Sequence, residues 1–157
     1  MKEAIQTLIT SDKMAHAFEY LKQDEEHTID QQIELVQISS FSPFEEKRAI
    51  RFKELLTEAG LDPVMDEVHN VYAHIHGTGN GPTLYVSAHL DTVFPPETPL
   101  PVKREGTKIY APGIGDDTRG LAEILTLARA IKESGLKPVG DIIIGGNVGE
   151  EGLGDLR

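Results

Sequence analysis

The stretch from residue 83 to residue 148 constrains the fold more than any other part of this sequence. It runs apolar strand, proline-rich loop, glycine-rich turn, amphipathic helix and apolar strand in succession. Residues 83–88 (TLYVSA) and 141–148 (DIIIGGNV) are short runs with the β-branched and apolar content of buried strands. Between them Leu121, Ile124, Leu125, Ala128 and Ile131 recur at the helical period, after the APGIGDD turn of residues 111–117 and before Gly135. Two apolar strands joined through an amphipathic helix must bury the strands under the helix. The expected class is therefore α/β: a three-layer sandwich with a mixed, largely parallel sheet and helices on both sides.

The rest of the chain fits that frame. Residues 1–38 are charged, lack Gly and Pro, and read as helical. Ser11 or Asp12 is placed to cap a helix running to about Lys22, and a second helix follows to about Ile38. In Ser42-Pro43-Phe44-Glu45, Ser42 reads as an N-cap, Pro43 as the first helical residue and Glu45 as the third. Phe44, Phe52, Leu55, Leu56 and Ala59 then give a helical apolar face that Gly60 ends. Residues 62–68 and 70–76 read as strands, residues 77–82 as a turn, and residues 83–88 as a strand apolar enough to be largely buried. The prolines of residues 94–101 exclude a central strand there. Residues 102–110 read as a small hairpin.

Charge and composition exclude several functions. The 157 residues carry 26 acidic against 15 basic side chains, a net charge of −11. That balance opposes a nucleic-acid partner, whose phosphates require a basic face, and an anionic membrane surface. There is no cysteine, which excludes disulfides, thiolate metal sites and a cysteine nucleophile. Any metal must be held by His, Asp or Glu. The N-terminal MKEAIQTLIT lacks the apolar core of a signal peptide, so a cytoplasmic location is expected. No Gly-x-Ser-x-Gly elbow is present, and the glycines of residues 77–81 lack the ending of a phosphate loop.

Three short motifs remain, each at a strand end or a helix start, where α/β sheets gather ligands. His89 and Asp91 lie at the end of the TLYVSA strand. Residues two apart in an extended chain share a side, so Asp91 is placed to orient the ring of His89. Asp116 and Asp117 follow Gly113-Ile114-Gly115 and precede the helix. Glu150 and Glu151 follow the DIIIGGNV strand, between Gly149 and Gly152. Taken singly, these also fit a strand-end histidine beside a solvated acid, an ordinary helix cap, and an acidic loop. Taken together, one imidazole and several carboxylates form a donor set suited to Zn, Mn or Co. His74 and His76 lie in a strand ahead of these motifs and read as exposed strand residues. His16, His27 and His69 read as surface residues.

The series His-x-Asp-Thr, Gly-x-Gly-Asp-Asp before a helix, and Glu-Glu-Gly after a strand resembles the M20 metallopeptidases over residues 39–157. That group includes tripeptide aminopeptidase, carboxypeptidase G and acetylornithine deacetylase. The resemblance implies a zinc-exopeptidase-like catalytic domain holding two divalent metal ions, zinc first, with manganese or cobalt as alternatives. It implies His89 and Glu151 as ligands to separate metals, Asp116 as a bridge between them, and Asp91 as the residue that orients His89. Glu150 becomes the general base acting on metal-activated water. Asp117 has no ligand role and is left as a helix cap.

The implied reaction is hydrolysis of a peptide or N-acyl amino-acid amide bond. Residues 116–124 look nearest to tripeptide-aminopeptidase-like members. The alternative is a non-catalytic metal- or peptide-binding module of the same fold. The family pattern also calls for another acidic ligand and a late histidine downstream, and for a lid domain that commonly carries a dimer contact. Residues 1–157 are thus expected to be the N-terminal part of a catalytic domain. That part alone is expected to bind metal poorly and turn over little, and a longer form to be a homodimer.

Overall fold

The computed structural model describes residues 2–151. Three helices open the chain: α1 (Lys2–Ile9), α2 (Asp12–Gln23) and α3 (Glu25–Val36). Ser11 caps α2, its side chain accepting the Met14 N–H. The helix α4 (Glu46–Glu58) starts later than the Ser42-Pro43 motif suggests, with Glu45 at its N-cap. Residues 41–44 are taken up by a turn in which the Phe44 N–H donates to the Phe41 carbonyl at 2.6 Å, while Phe41 bridges to Thr92. Phe44 consequently lies outside the helix and is 64% exposed, whereas Phe52, Leu55, Leu56 and Ala59 are buried as expected.

The strands follow as β1 (Val64–Met65), β2 (Val71–Ile75) and β3 (Leu84–His89), then a hairpin of β4 (Lys103–Glu105) and β5 (Lys108–Tyr110). After the glycine-rich turn come α5 (Thr118–Ser134) and β6 (Ile142–Asn147). The first strand is far shorter than the expected 62–68. Asp66 accepts the N–H groups of Val68 and Asn70 with one carboxylate oxygen, which closes a turn where a longer strand would need extended backbone. Gly135, with φ +64°, ends α5 in the left-handed conformation.

The main sheet has the order β1-β2-β6-β3. It is mixed, as expected, but not largely parallel: among the described residues only β3–β6 is parallel, and β1–β2 and β2–β6 are antiparallel. The register puts Val71 and Ala73 of β2, Ile144 of β6 and Ala88 of β3 on one face, and all four are buried. These side chains join the inner faces of α4 and α5 in a single core that includes Phe52, Leu55, Leu121, Ile124 and Leu125. Gly146 lies under Phe52 so closely that a Cβ there would meet the ring at 2.9 Å. The helices α2 and α3 pack in turn on α5.

The opposite face of the sheet carries Tyr72, His74, Ile143, Tyr85 and Ser87, and none of these is buried. The described helices thus flank the sheet on one face rather than both. β3 is also an end strand among the described residues. Leu84 and Tyr85 are 57% and 53% exposed, so the strand is not largely buried.

Candidate metal centre

Because β3 and β6 are parallel neighbours, with His89 paired to Asn147, their carboxyl ends emerge side by side. The turn before α5 reaches the same place. The three motifs, up to 62 residues apart in sequence, therefore meet at one end of the sheet. One donor atom each from His89, Asp116 and Glu151 lies within 4.8 Å of the others.

His89 sits with a side chain only 11% exposed, between two acceptors. Its Nδ1 faces the Asp91 carbonyl at 3.1 Å, and its Nε2 faces Asp116 Oδ1 at 2.9 Å. The Asp91 carboxylate stands 3.6 Å from Nδ1. The Asp91 carboxylate raises the imidazole pKa most, burial opposes it, and Asp116 adds to the rise; the result is about 9. The atom of Asp91 nearest the His89 ring is thus its backbone carbonyl, whereas the expectation placed the carboxylate there.

The Asp91 carboxylate is fully buried and has other partners. Oδ1 accepts the Glu150 N–H at 3.1 Å and Oδ2 accepts the Glu151 N–H at 2.7 Å. Gly149, with φ +68°, turns the chain after β6 so that both N–H groups face inward. Burial pushes the Asp91 carboxyl up, but His89 and these two N–H groups outweigh it and hold the carboxyl below its usual range. Glu151 moves the other way: burial first, and then the charge of Asp116, raise its carboxyl. Glu150 is more exposed and reaches to 3.9 Å from His89 Nε2.

Asp117 caps α5 as read from the sequence, accepting the Gly120 N–H at 3.1 Å. Its second oxygen accepts the His89 N–H at 3.2 Å, so the cap also fixes the end of β3. Asp116 and Asp117 are joined by a cis peptide bond. A cleft of about 290 Å³ opens beside Asp116 and Glu151, lined by Thr92, Val93, Phe94, Ala111 and Ile114.

One contributor escaped the sequence reading. Arg48 of α4 is 1% exposed and donates from Nη1 to the Leu90 carbonyl at 2.8 Å and from Nη2 to the Ile38 carbonyl at 2.7 Å. It thereby pins the residue between His89 and Asp91. Burial lowers its pKa to about 10 against the pull of Asp91, so it is cationic at neutral pH. The signal was present: Arg48 stands at helical spacing with Phe52, Leu55 and Ala59, in the stripe that faces the core.

The donor chemistry fits a divalent cation. An imidazole nitrogen and two carboxylates from three separate elements converge, and hydrogen bonds from Asp117 and Asp91 hold the backbone N–H groups of His89 and Glu151. Residues 85–156 match the model of peptidase family M20/M25/M40, a segment that contains His89, Asp91, Asp116, Glu150 and Glu151. The chain is 38% identical over 84 residues to carboxypeptidase G2 of Pseudomonas sp. (strain RS-16), covering 52% of this chain and 20% of that protein. It is similar to the crystal structure of aminopeptidase PepT from Bacillus cereus, with TM-score 0.68, 27% identity, and 80% of this chain and 36% of that chain covered. It is also similar to a tripeptidase from Staphylococcus aureus, with TM-score 0.66, 31% identity, and 80% and 37% covered. The chain spans well under half the length of each of these relatives.

Proposed function

This chain belongs to peptidase family M20/M25/M40, and from that premise we propose that it supplies part of the metal-binding centre of a hydrolase for peptide or N-acyl amino-acid amide bonds. The observation that carries the proposal is the convergence of His89, Asp116 and Glu151, with Glu150 next to the set but outside it. On this reading residues 1–157 are the N-terminal part of the catalytic domain. The centre is completed by ligands from the whole protein.

His89 and Glu151 would each hold one divalent cation, and Asp116, with two carboxylate oxygens, would serve both. Zinc suits this donor set, as do manganese and cobalt. The bound cations would lower the pKa of water toward about 7 and polarise the scissile carbonyl. The remaining work falls to the chain's own groups. Asp91 fixes the ring of His89 from the Nδ1 side and fixes the 150–151 backbone through its two accepted N–H bonds. With its backbone held, the Glu150 side chain stays free to accept a proton from the attacking water and return it to the leaving amine. The apolar cleft of Val93, Phe94 and Ile114 offers a seat for a small side chain of the substrate. The similarity to a tripeptidase and to an aminopeptidase favours short peptides cleaved from the amino end.

Metal removal tests the reading. The whole protein carrying this chain, dialysed against a chelator, should lose hydrolysis of tripeptides and N-acyl amino acids and regain it with Zn²⁺, Mn²⁺ or Co²⁺. Turnover that survives chelation unchanged would contradict it.

A further inference from the structure

The sheet has a second cluster of metal-ligating side chains, at the end opposite the one already described. His74 and His76 are two apart on β2 and its extension, so both project from the same face of the sheet. Their rings stack with centroids 5.8 Å apart and planes inclined by 28°. The antiparallel register pairs His74 with Ile143 and Ile75 with Ile142, which sets His76 opposite Asp141, the residue just before β6. The third donor thus comes from across the sheet. His76 Nδ1 stands 3.8 Å from Asp141 Oδ2, and one donor atom of each of the three residues lies within 4.8 Å of the others.

Asp141 is already oriented. Its Oδ1 accepts the Gly77 N–H at 2.8 Å, which leaves Oδ2 turned toward His76. The backbone beneath is braced as well: the Thr78 and Gly79 N–H groups donate to the Pro138 and Val139 carbonyls, each at 2.9 Å. Gly77 and Gly140 approach so closely that a Cβ on Gly77 would meet the Gly140 carbonyl carbon at 2.5 Å. The two strands cannot drift apart at this point without breaking those contacts. Both imidazoles are exposed, so a cation can reach them without moving the core.

We propose that His74, His76 and Asp141 form a second site for a borderline divalent cation, Zn²⁺ in the first instance, separate from the His89–Asp116–Glu151 centre. Two imidazole nitrogens and one carboxylate oxygen match the donor preference of zinc and disfavour magnesium or calcium. Ligand atoms around tetrahedral zinc stand about 3.3 Å apart, given Zn–N and Zn–O bonds near 2.0–2.1 Å. Rotation of two exposed imidazoles closes the present separation. The site staples β2 to the start of β6, with a fourth position left to water.

The test is a titration with Zn²⁺ alone, read against a competing chromophoric chelator. It is made on the protein carrying Asp116→Ala, so that the other centre is weakened. One zinc per chain should bind, and His74→Ala/His76→Ala in that background should weaken it by at least about tenfold, the loss that even a supporting group around a metal ligand produces. Zinc should also raise the melting temperature of the Asp116→Ala protein and leave that of the triple variant unchanged, because binding to the folded state alone stabilises it. The two substituted histidines are exposed, so folding of the variants is not at issue. Unaltered zinc stoichiometry and affinity in the triple variant would overturn the proposal. So would an equal loss on His16→Ala, which would mark the binding as general to surface histidines.

Discussion

Asp91 gives both carboxylate oxygens to the backbone of a loop 59 and 60 residues further on. A neutral side chain there keeps one acceptor oxygen and places an N–H₂ group against the other donor. Asp91→Asn should therefore weaken metal binding by about 10–100-fold. Leaving a buried N–H unsatisfied should also cost about 1–3 kcal/mol of stability. Metal titration and urea unfolding measure the two effects separately, and unchanged metal affinity would mean that Asp91 does not organise the centre. The candidate residues themselves were legible because the relevant acids sit in pairs beside glycines at strand ends and a helix start. The bonds of Asp91 to the 150–151 backbone were not legible, since they exist only once Gly149 has turned the loop back over β3. Arg48 was missed for a different reason. A cation in an apolar stripe looks like a tolerated surface residue until its carbonyl partners, Ile38 and Leu90, are brought to it.

Helix α5 links the candidate centre to the helical layer through a buried polar contact that apolar periodicity does not show. Asp24, at the junction of α2 and α3, accepts from Thr126 Oγ1 at 2.6 Å and from Arg129 Nε at 3.0 Å, and Arg129 Nη1 donates to Gln31 at 2.7 Å. Asp24 and Arg129 are both 8% exposed. Removing one partner strands the other charge, so Asp24→Ala should lower stability by about 3–5 kcal/mol in urea unfolding. A loss below about 1 kcal/mol would show that water or rearrangement satisfies Arg129. Burial pushes the Asp24 carboxyl up, but bonds from Thr126, Arg129 and His27 more than compensate, and its folded pKa lies below the unfolded value. The contribution is therefore complete above the unfolded value of about 3.9 and is lost as pH falls through the folded one. Acid unfolding of the parent should show this loss and Asp24→Ala should not. At this scale the helices were legible from their period and from Ser11, Gly60 and Gly135. The strands were less so, because exposure of Leu84 and Tyr85 depends on which strands stand beside β3, and the shortness of β1 depends on one side chain, Asp66, closing a turn.

At the scale of the molecule, a single parallel pairing, β3 with β6, does most to assemble the candidate centre. It sets the carboxyl ends of two strands together, and the crossover through α5 delivers Asp116 to the same edge. The α/β class followed from the alternation of strand and helix. The parallel share of the sheet and the placement of the described helices on one face did not, since strand direction and layer order are set by pairings distant in sequence. In the proposed centre Glu150 acts as the base while His89, Asp116 and Glu151 hold metal. Glu150→Gln in the whole protein, with metal content and tripeptide turnover measured on the same sample, tests it most directly. Metal content should be unchanged and turnover should fall by about 10²–10⁴-fold. Turnover retained at the parent level would remove Glu150 as the base, and loss of metal with the substitution would make it a ligand instead.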